Sequence, residues 1–151
     1  MDFLYQTTAT TTYHEYKKFT WALILTKRAV VYFILFELIC LFSAIVTKSI
    51  FFFSFLVLYP LIIWWFQNRH IKKVYQSNKV LQNAVSTYTF YEAYFTETNE
   101  FDHTKLEYQK LDKIIETKTN FYLMISKNQG FILTKENFPE GLIEFLRSIQ
   151  I

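Results

Sequence analysis

Two long apolar runs dominate the hydrophobic pattern. Residues 29–46 read AVVYFILFELICLFSAIV, with Glu37 as the one ionisable side chain, and residues 50–66 read IFFFSFLVLYPLIIWWF, with none. Each is about 27 Å long as an α-helix, close to the roughly 30 Å hydrocarbon core of a bilayer. Neither carries the polar face that a soluble helix keeps toward water. Only Thr47, Lys48 and Ser49 separate them, so the two helices must be antiparallel neighbours. The pattern predicts a transmembrane helical hairpin. The first run starts at residue 29, is too long for the apolar core of a signal peptide and leads directly into a second span, which argues against a cleaved leader.

The flanking pattern is finer. Residues 2–8 (DFLYQTT) read as a short strand, and Thr12 precedes Glu15 at the spacing of a capping box. A helix starting at Thr12 is expected to run through Trp21 into the first span. After the second span, residues 67–84 read as a helical continuation with Ile71, Val74, Tyr75, Asn78 and Leu81 on one face. From residue 85 the texture becomes β-rich. The stretch 86–98 (STYTFYEAYFTET) predicts one or two strands, 104–109 a further one, and 111–117 carries Leu111, Ile114 and Ile115. Residues 121–125 (FYLMI) and 131–134 (FILT) flank Lys127-Asn128-Gln129-Gly130, a hairpin turn in which Gly130 is free to take positive φ. Pro139 then opens an amphipathic helix, PEGLIEFLRSIQ.

The expected fold is therefore an α+β membrane protein: a two-helix transmembrane hairpin with a small antiparallel-sheet domain closed by a C-terminal helix. That order is the one of a pleckstrin-homology-like (PH-like) domain. The divisions are 1–28 (strand and juxtamembrane helix), 29–66 (hairpin, spans 29–46 and 50–66), 67–84 (juxtamembrane helix) and 85–151 (PH-like domain). The last is small, so the N-terminal strand and juxtamembrane helices are expected to help complete its core.

Charge sets the orientation. Lys17, Lys18, Lys27 and Arg28 precede the first span, Arg69, Lys72, Lys73 and Lys79 follow the second, and the connection holds Lys48 alone. Basic flanks stay inside, so both termini are expected on the cytoplasmic side of a bacterial inner membrane, with Trp64 and Trp65 at the headgroup boundary. The net charge of +3 is not gathered into a patch interleaved with aromatics, so nucleic acid is not an expected partner. The Phe-, Tyr-, Ile-, Lys- and Asn-rich composition points to a bacterium with an AT-rich genome.

Candidate chemistry changes this picture little. Glu37 falls near the bilayer centre, where a carboxylate must be protonated or paired; the facing position in the second span is Tyr59, and a contact between the two that fixes helix register is expected, with a proton or ion site and a contact with another protein as the alternatives. Pro60 removes the backbone bond to the Leu56 carbonyl. With two glycines, Gly130 and Gly141, a glycine-rich phosphate loop is excluded. His14, His70 and His103 are not at metal-ligand spacing, and the single cysteine, Cys40, lies inside the first span. No catalytic, cofactor-binding or metal residue is expected, and so no enzyme. Lys27, Arg28, Arg69, Lys72 and Lys73 are candidates for topology and lipid headgroups. Tyr88, Tyr91 and Tyr94 are candidates for a partner surface, although alternation along a strand turns half of such residues into the core.

The order of these elements resembles the YcxB-like family of bacterial membrane proteins. The resemblance rests on Thr12-x-x-Glu15, the two close spans, Tyr88-Thr89-Phe90-Tyr91-Glu92 and the stretch 108–134. It closes on Phe138-Pro139 leading into Leu142-Ile143-Glu144-Phe145-Leu146. Tyr108 stands where the family often has Trp. The resemblance implies a PH-like fold on a membrane hairpin and supplies no catalytic residues. The function expected is a membrane-anchored module binding a protein partner, with toxin immunity as one specific form. The alternatives are an anionic-lipid sensor and a hairpin subunit of a larger transport or signalling assembly. Membrane lipid, a protein partner and further copies of the chain are the partners considered.

Overall fold

The computed structural model describes residues 2–149. Strand β1 (Tyr5–Thr10) is followed by helix α1 (Tyr13–Ile24) and two long helices, α2 (Lys27–Thr47) and α3 (Ile50–Ser77). Then come β2 (Val85–Phe90), β3 (Tyr94–Thr98), β4 (His103–Glu107), β5 (Lys113–Glu116), β6 (Asn120–Met124), β7 (Gly130–Thr134) and helix α4 (Leu142–Ser148).

Helices α2 and α3 are both long and apolar enough to cross a membrane. Their surface is left uncovered by protein: Tyr32, Phe42 and Ile50 are 70%, 69% and 82% exposed. A soluble core helix would bury such side chains at about 1.5–3 kcal/mol each. The two helices pack on each other through Phe33, Phe36, Phe55 and Tyr59, with ring centroids 5.1–6.5 Å apart.

The remaining elements form two antiparallel sheets, one ordered β1-β2-β3-β4 and the other β5-β6-β7. Strand β1 pairs with β2 from Tyr5↔Phe90 to Thr10↔Val85. Everything between residues 11 and 84 is thus an insertion between two neighbouring strands of one sheet. The other edge of β1 is tied to the turn after β7. The Thr7 hydroxyl donates to the Asn137 carbonyl at 2.8 Å, and the Asn137 amide donates to the Thr8 carbonyl at 2.9 Å. The core between the sheets holds Phe90, Phe95, Phe121, Leu123 and Leu133, and α4 closes it with Leu142 and Leu146.

Strand β6 is buried on both faces. Phe121 and Leu123 face the main core, whereas Tyr122 and Met124 meet Phe19 of α1 in a second cluster. The Phe19 and Tyr122 rings meet edge-on at 5.2 Å. This double burial is why the segment reads as a continuous apolar run rather than an alternating one.

Four local expectations are corrected. The N-terminal helix does not run into the first span: α1 ends at Ile24, Leu25 leaves helical geometry, and Thr26 caps α2 afresh by accepting the Ala29 N–H. Helix α3 stops at Ser77 rather than Ala84, because the Gln82 amide folds back onto the Tyr75 and Gln76 carbonyls and satisfies the helix end. Helix α4 starts at Leu142, not Pro139, since Gly141 takes a left-handed φ of 86° immediately before it. Gly130 does not use positive φ. A Cβ there would lie 2.7 Å from the Leu123 carbonyl oxygen and 2.8 Å from the Met124 sulfur, so close strand approach is what excludes a side chain.

Candidate functional site

A cleft of about 380 Å³ lies where the inserted segment meets the sheets. Tyr16 and Phe19 of α1 form one wall, Tyr88 and Glu97 the sheet side, and Asn128 to Ile132 of the β6–β7 hairpin the other side. The key side chain is Glu97. Along β3, Phe95 points into the core at zero exposure. Glu97, two residues on, points to the same face. Register sets Tyr88 of β2 directly opposite Glu97.

Two buried side chains hold this carboxylate. The Ser86 hydroxyl donates to Glu97 Oε1 at 2.6 Å and the Tyr88 hydroxyl to the same oxygen at 3.3 Å. Ser86 and Tyr88 are 3% and 2% exposed. Burial, and then the adjoining Glu97 charge, push the Tyr88 phenol above its ordinary range, so it remains a donor at every physiological pH. Oε2 of Glu97 has no hydrogen-bond partner among the described residues. It is free to accept from an incoming N–H or ammonium group, and Asn99, Asn128 and Gln129 also line the cleft. The sequence reading did not single out Glu97. Its signal was an acidic residue in phase with Phe95 on the inward face of a strand.

The residues singled out from sequence are dispersed. Tyr88 is a core residue and not part of an exposed partner surface, because the β2 alternation turns Ser86, Tyr88 and Phe90 inward together. Tyr91 and Tyr94 stay half-buried at the β2–β3 turn, their rings stacked at 4.6 Å, with the Lys105 ammonium 3.8 Å from the Tyr94 ring centre.

Within the hairpin, Glu37 sits at the middle of α2 and, against expectation, forms no hydrogen bond with Tyr59 among the described residues. Its Oε1 is buried with no hydrogen-bond partner among the described residues, in a small groove with Phe33, Leu41 and Leu56. The Tyr59 ring is stacked on Phe55 and packed on Phe36, both at 5.1 Å. Aromatic packing therefore decides the Tyr59 rotamer. Lys27 and Arg28 start α2, and Arg69, His70, Lys72 and Lys73 line an exposed stretch of α3. The Arg69 guanidinium lies 4.7 Å from the Trp65 ring centre.

Comparison with known proteins supports one part of the chain. Residues 90–150, the span from the end of β2 through α4, match the family model of the YcxB-like proteins. No curated protein and no solved structure matches the chain.

Proposed function

We propose that this YcxB-like chain is a non-enzymatic, membrane-anchored interaction module whose sheet domain engages a protein partner. The hairpin α2–α3 spans the bacterial inner membrane, the basic flanks hold both termini in the cytoplasm, and the two sheets with α4 act as a PH-like domain. The observation that carries the reading is Glu97: an inward-facing carboxylate with one oxygen held by two buried hydroxyls and the other without a hydrogen-bond partner among the described residues. Such a group, in a cleft that Tyr16, Phe19, Asn128 and Gln129 also line, suits a partner segment bearing Lys or Arg. A toxin-immunity role is one form that this binding takes if the partner is a toxin.

The test is site-specific photo-crosslinking in native membranes. A photoreactive residue is placed at Asn128 on the cleft rim, at Lys105 on the outer sheet face, or at Val57 in the hairpin. The expected outcome is one protein adduct from Asn128, lost in Glu97→Ala and retained in a control such as Glu136→Ala. Adducts from Val57 alone would replace this reading with a hairpin subunit of a larger assembly. A second reading, binding of anionic headgroups, is favoured by the exposed Arg69, His70, Lys72 and Lys73 on α3. Adducts with lipid and none with protein would support it.

A further inference from the structure

Strand β5 is an open edge of the sheet β5-β6-β7 and pairs with β6 alone. The register decides which of its backbone groups are used. The Thr117 N–H donates to the Asn120 carbonyl at 2.9 Å, and antiparallel pairs alternate between bonded and unbonded. Ile115, opposite Tyr122, is therefore bonded to β6. Ile114 and Glu116, opposite Leu123 and Phe121, turn their N–H and C=O groups outward. The β6–β7 hairpin has the matching phase: the Ile125 N–H donates to the Gln129 carbonyl, so Leu123 and Phe121 spend their backbone groups on β7. The main chains of Ile114 and Glu116 have no hydrogen-bond partner among the described residues.

Helix α4 lies beside this edge, held by the two hydrogen bonds from Arg147 to the Glu116 carboxylate. A groove of about 380 Å³ lies there, and Ile114, Glu116, Phe121, Leu146, Arg147 and Ile149 line it. Four of these are apolar: Phe121 and Leu146 are buried, and Ile114 and Ile149 are half-buried.

Free main-chain donors and acceptors along a strand edge are complementary to one class of ligand, an extended polypeptide. Side chains of an added strand alternate between the two faces. One set lies on the face of Ile114, which packs on the core that α4 closes; the other lies on the face of Ile115, which packs with the α1 cluster. The Ile114 face suits aliphatic residues. A second copy of β5 is a poorer complement, because it brings Glu116 to the same face as Ile114.

We propose that β5 is a docking edge for an extended segment of another protein, which adds a fourth strand to β5-β6-β7 and sets aliphatic side chains at alternate positions against α4. The groove shares no lining residue with the Glu97 cleft, and the proposal is independent of the function proposed for that carboxylate.

The probe is a phage-displayed library of random peptides of about ten residues, enough to span a strand. It is selected on the full detergent-solubilised chain, and enriched peptides are resynthesised. They should carry Val, Ile or Leu at every second position. Their binding should slow amide exchange at Ile114 and Glu116, whereas Ile115 exchanges slowly throughout. N-methylation of the alternate peptide amides that face β5 should weaken binding about ten-fold, the worth of one or two backbone hydrogen bonds, and methylation of the other set less than about two-fold. Ile114→Pro removes an edge donor without breaking the β6 ladder and should weaken binding similarly; Glu97→Ala should not.

A library that yields no binder would overturn the proposal, and so would equal binding by the two methylated peptides, which would mean side-chain docking without strand addition. Protection of residues 103–107 instead would place the segment on β4 and overturn it. Binding lost in Glu97→Ala, with Ile114 and Glu116 still exchanging, would place the peptide in the Glu97 cleft, overturning this proposal and leaving that reading standing. Protection of β5 that rises with chain concentration and needs no peptide would assign the edge to a second copy, again overturning it. Circular dichroism checks the fold of Ile114→Pro; if that variant is unfolded, the methylated pair decides, since it leaves the protein unchanged.

Discussion

Asn120 on β6 donates from its side-chain amide to the carboxylate of Glu15 on α1, across 105 positions of sequence. Asn120 is completely buried, and its own carbonyl oxygen accepts from the Thr119 hydroxyl. Glu15 also pairs with Lys18 at 2.9 Å. The base of the helical hairpin is thereby fastened to the sheet domain by a charge-assisted hydrogen bond, the stronger kind.

Glu15→Ala is expected to cost about 1–3 kcal/mol of stability, the range for a lost bond that leaves a buried polar group unsatisfied. Glu15→Gln, which can still accept from Asn120, should cost less. Burial alone would raise the Glu15 carboxyl, but hydrogen bonds from Lys18 and Asn120 outweigh it and hold the group below its ordinary value. Its contribution is therefore present above the ordinary carboxylate pKa and lost as pH falls through the lowered one. Denaturation of the detergent-solubilised chain at neutral and acid pH checks both statements; an equal loss in Ala and Gln variants would refute the hydrogen-bond account.

Acid should also loosen α4. Glu116 of β5 accepts two hydrogen bonds from Arg147 of α4, at 2.9 and 2.7 Å, and one from Lys135 at 2.7 Å. The bonds from Arg147, then the one from Lys135, lower the Glu116 carboxyl to about 2. A depressed carboxylate stabilises above its unfolded pKa, so this clamp is intact at neutral pH and released as pH falls from about 4.5 toward 2. Amide exchange in residues 142–148 should accelerate over that window. Glu116→Gln should lose that pH step, and high salt should flatten it because the cluster is exposed to solvent.

The two glycines separate two different demands. Gly130→Ala puts a Cβ against the Leu123 backbone oxygen, which cannot move without opening the β6–β7 ladder. A loss of about 1–3 kcal/mol is expected, as for other overpacked sites. Gly141→Ala instead forces a left-handed φ on alanine and brings its Cβ to 3.0 Å from the Tyr5 hydroxyl. About 1–2 kcal/mol is expected from the backbone alone. Chemical denaturation of each variant measures both; a neutral Gly130→Ala would show that the strands can separate there.

Glu37, at the middle of a membrane-length helix, carries a carboxyl oxygen with no hydrogen-bond partner among the described residues. Glu37→Leu should favour hairpin insertion by about 2 kcal/mol, somewhat below the cost measured for ionised residues at a span centre, with Glu37→Gln between the two. A glycosylation-based insertion assay reads the difference. If Leu instead weakens the protein in native membranes, the carboxyl meets a group supplied by another chain.

Much of this architecture was legible because it is local. The spans were readable from hydropathy, and the Thr12 cap from its spacing, with Thr12 Oγ1 accepting the Glu15 N–H at 3.2 Å. The reciprocal half of that capping box is absent: the Thr12 N–H turns to the Thr10 carbonyl, and the Glu15 carboxylate is spent on Lys18 and Asn120. The inward turn of Tyr88 was half readable, since strand alternation states that neighbours oppose one another but not which set is buried. Glu97 was missed because its polar partners, Ser86 and Tyr88, become neighbours only once β2 and β3 pair.

The sequence by itself determined which segments are helix or strand and that two of the helices suit a membrane, because length, apolar content and turn residues act within a few positions. Tertiary structure alone decided that β1 closes a sheet with β2 across the whole inserted hairpin, that Asn120 claims Glu15, and that Gly130 is needed for space rather than for φ. Those outcomes depend on which surfaces meet. A periodic pattern specifies that a face must be covered, but the covering partner is chosen by packing and hydrogen-bond satisfaction among residues far apart in the chain.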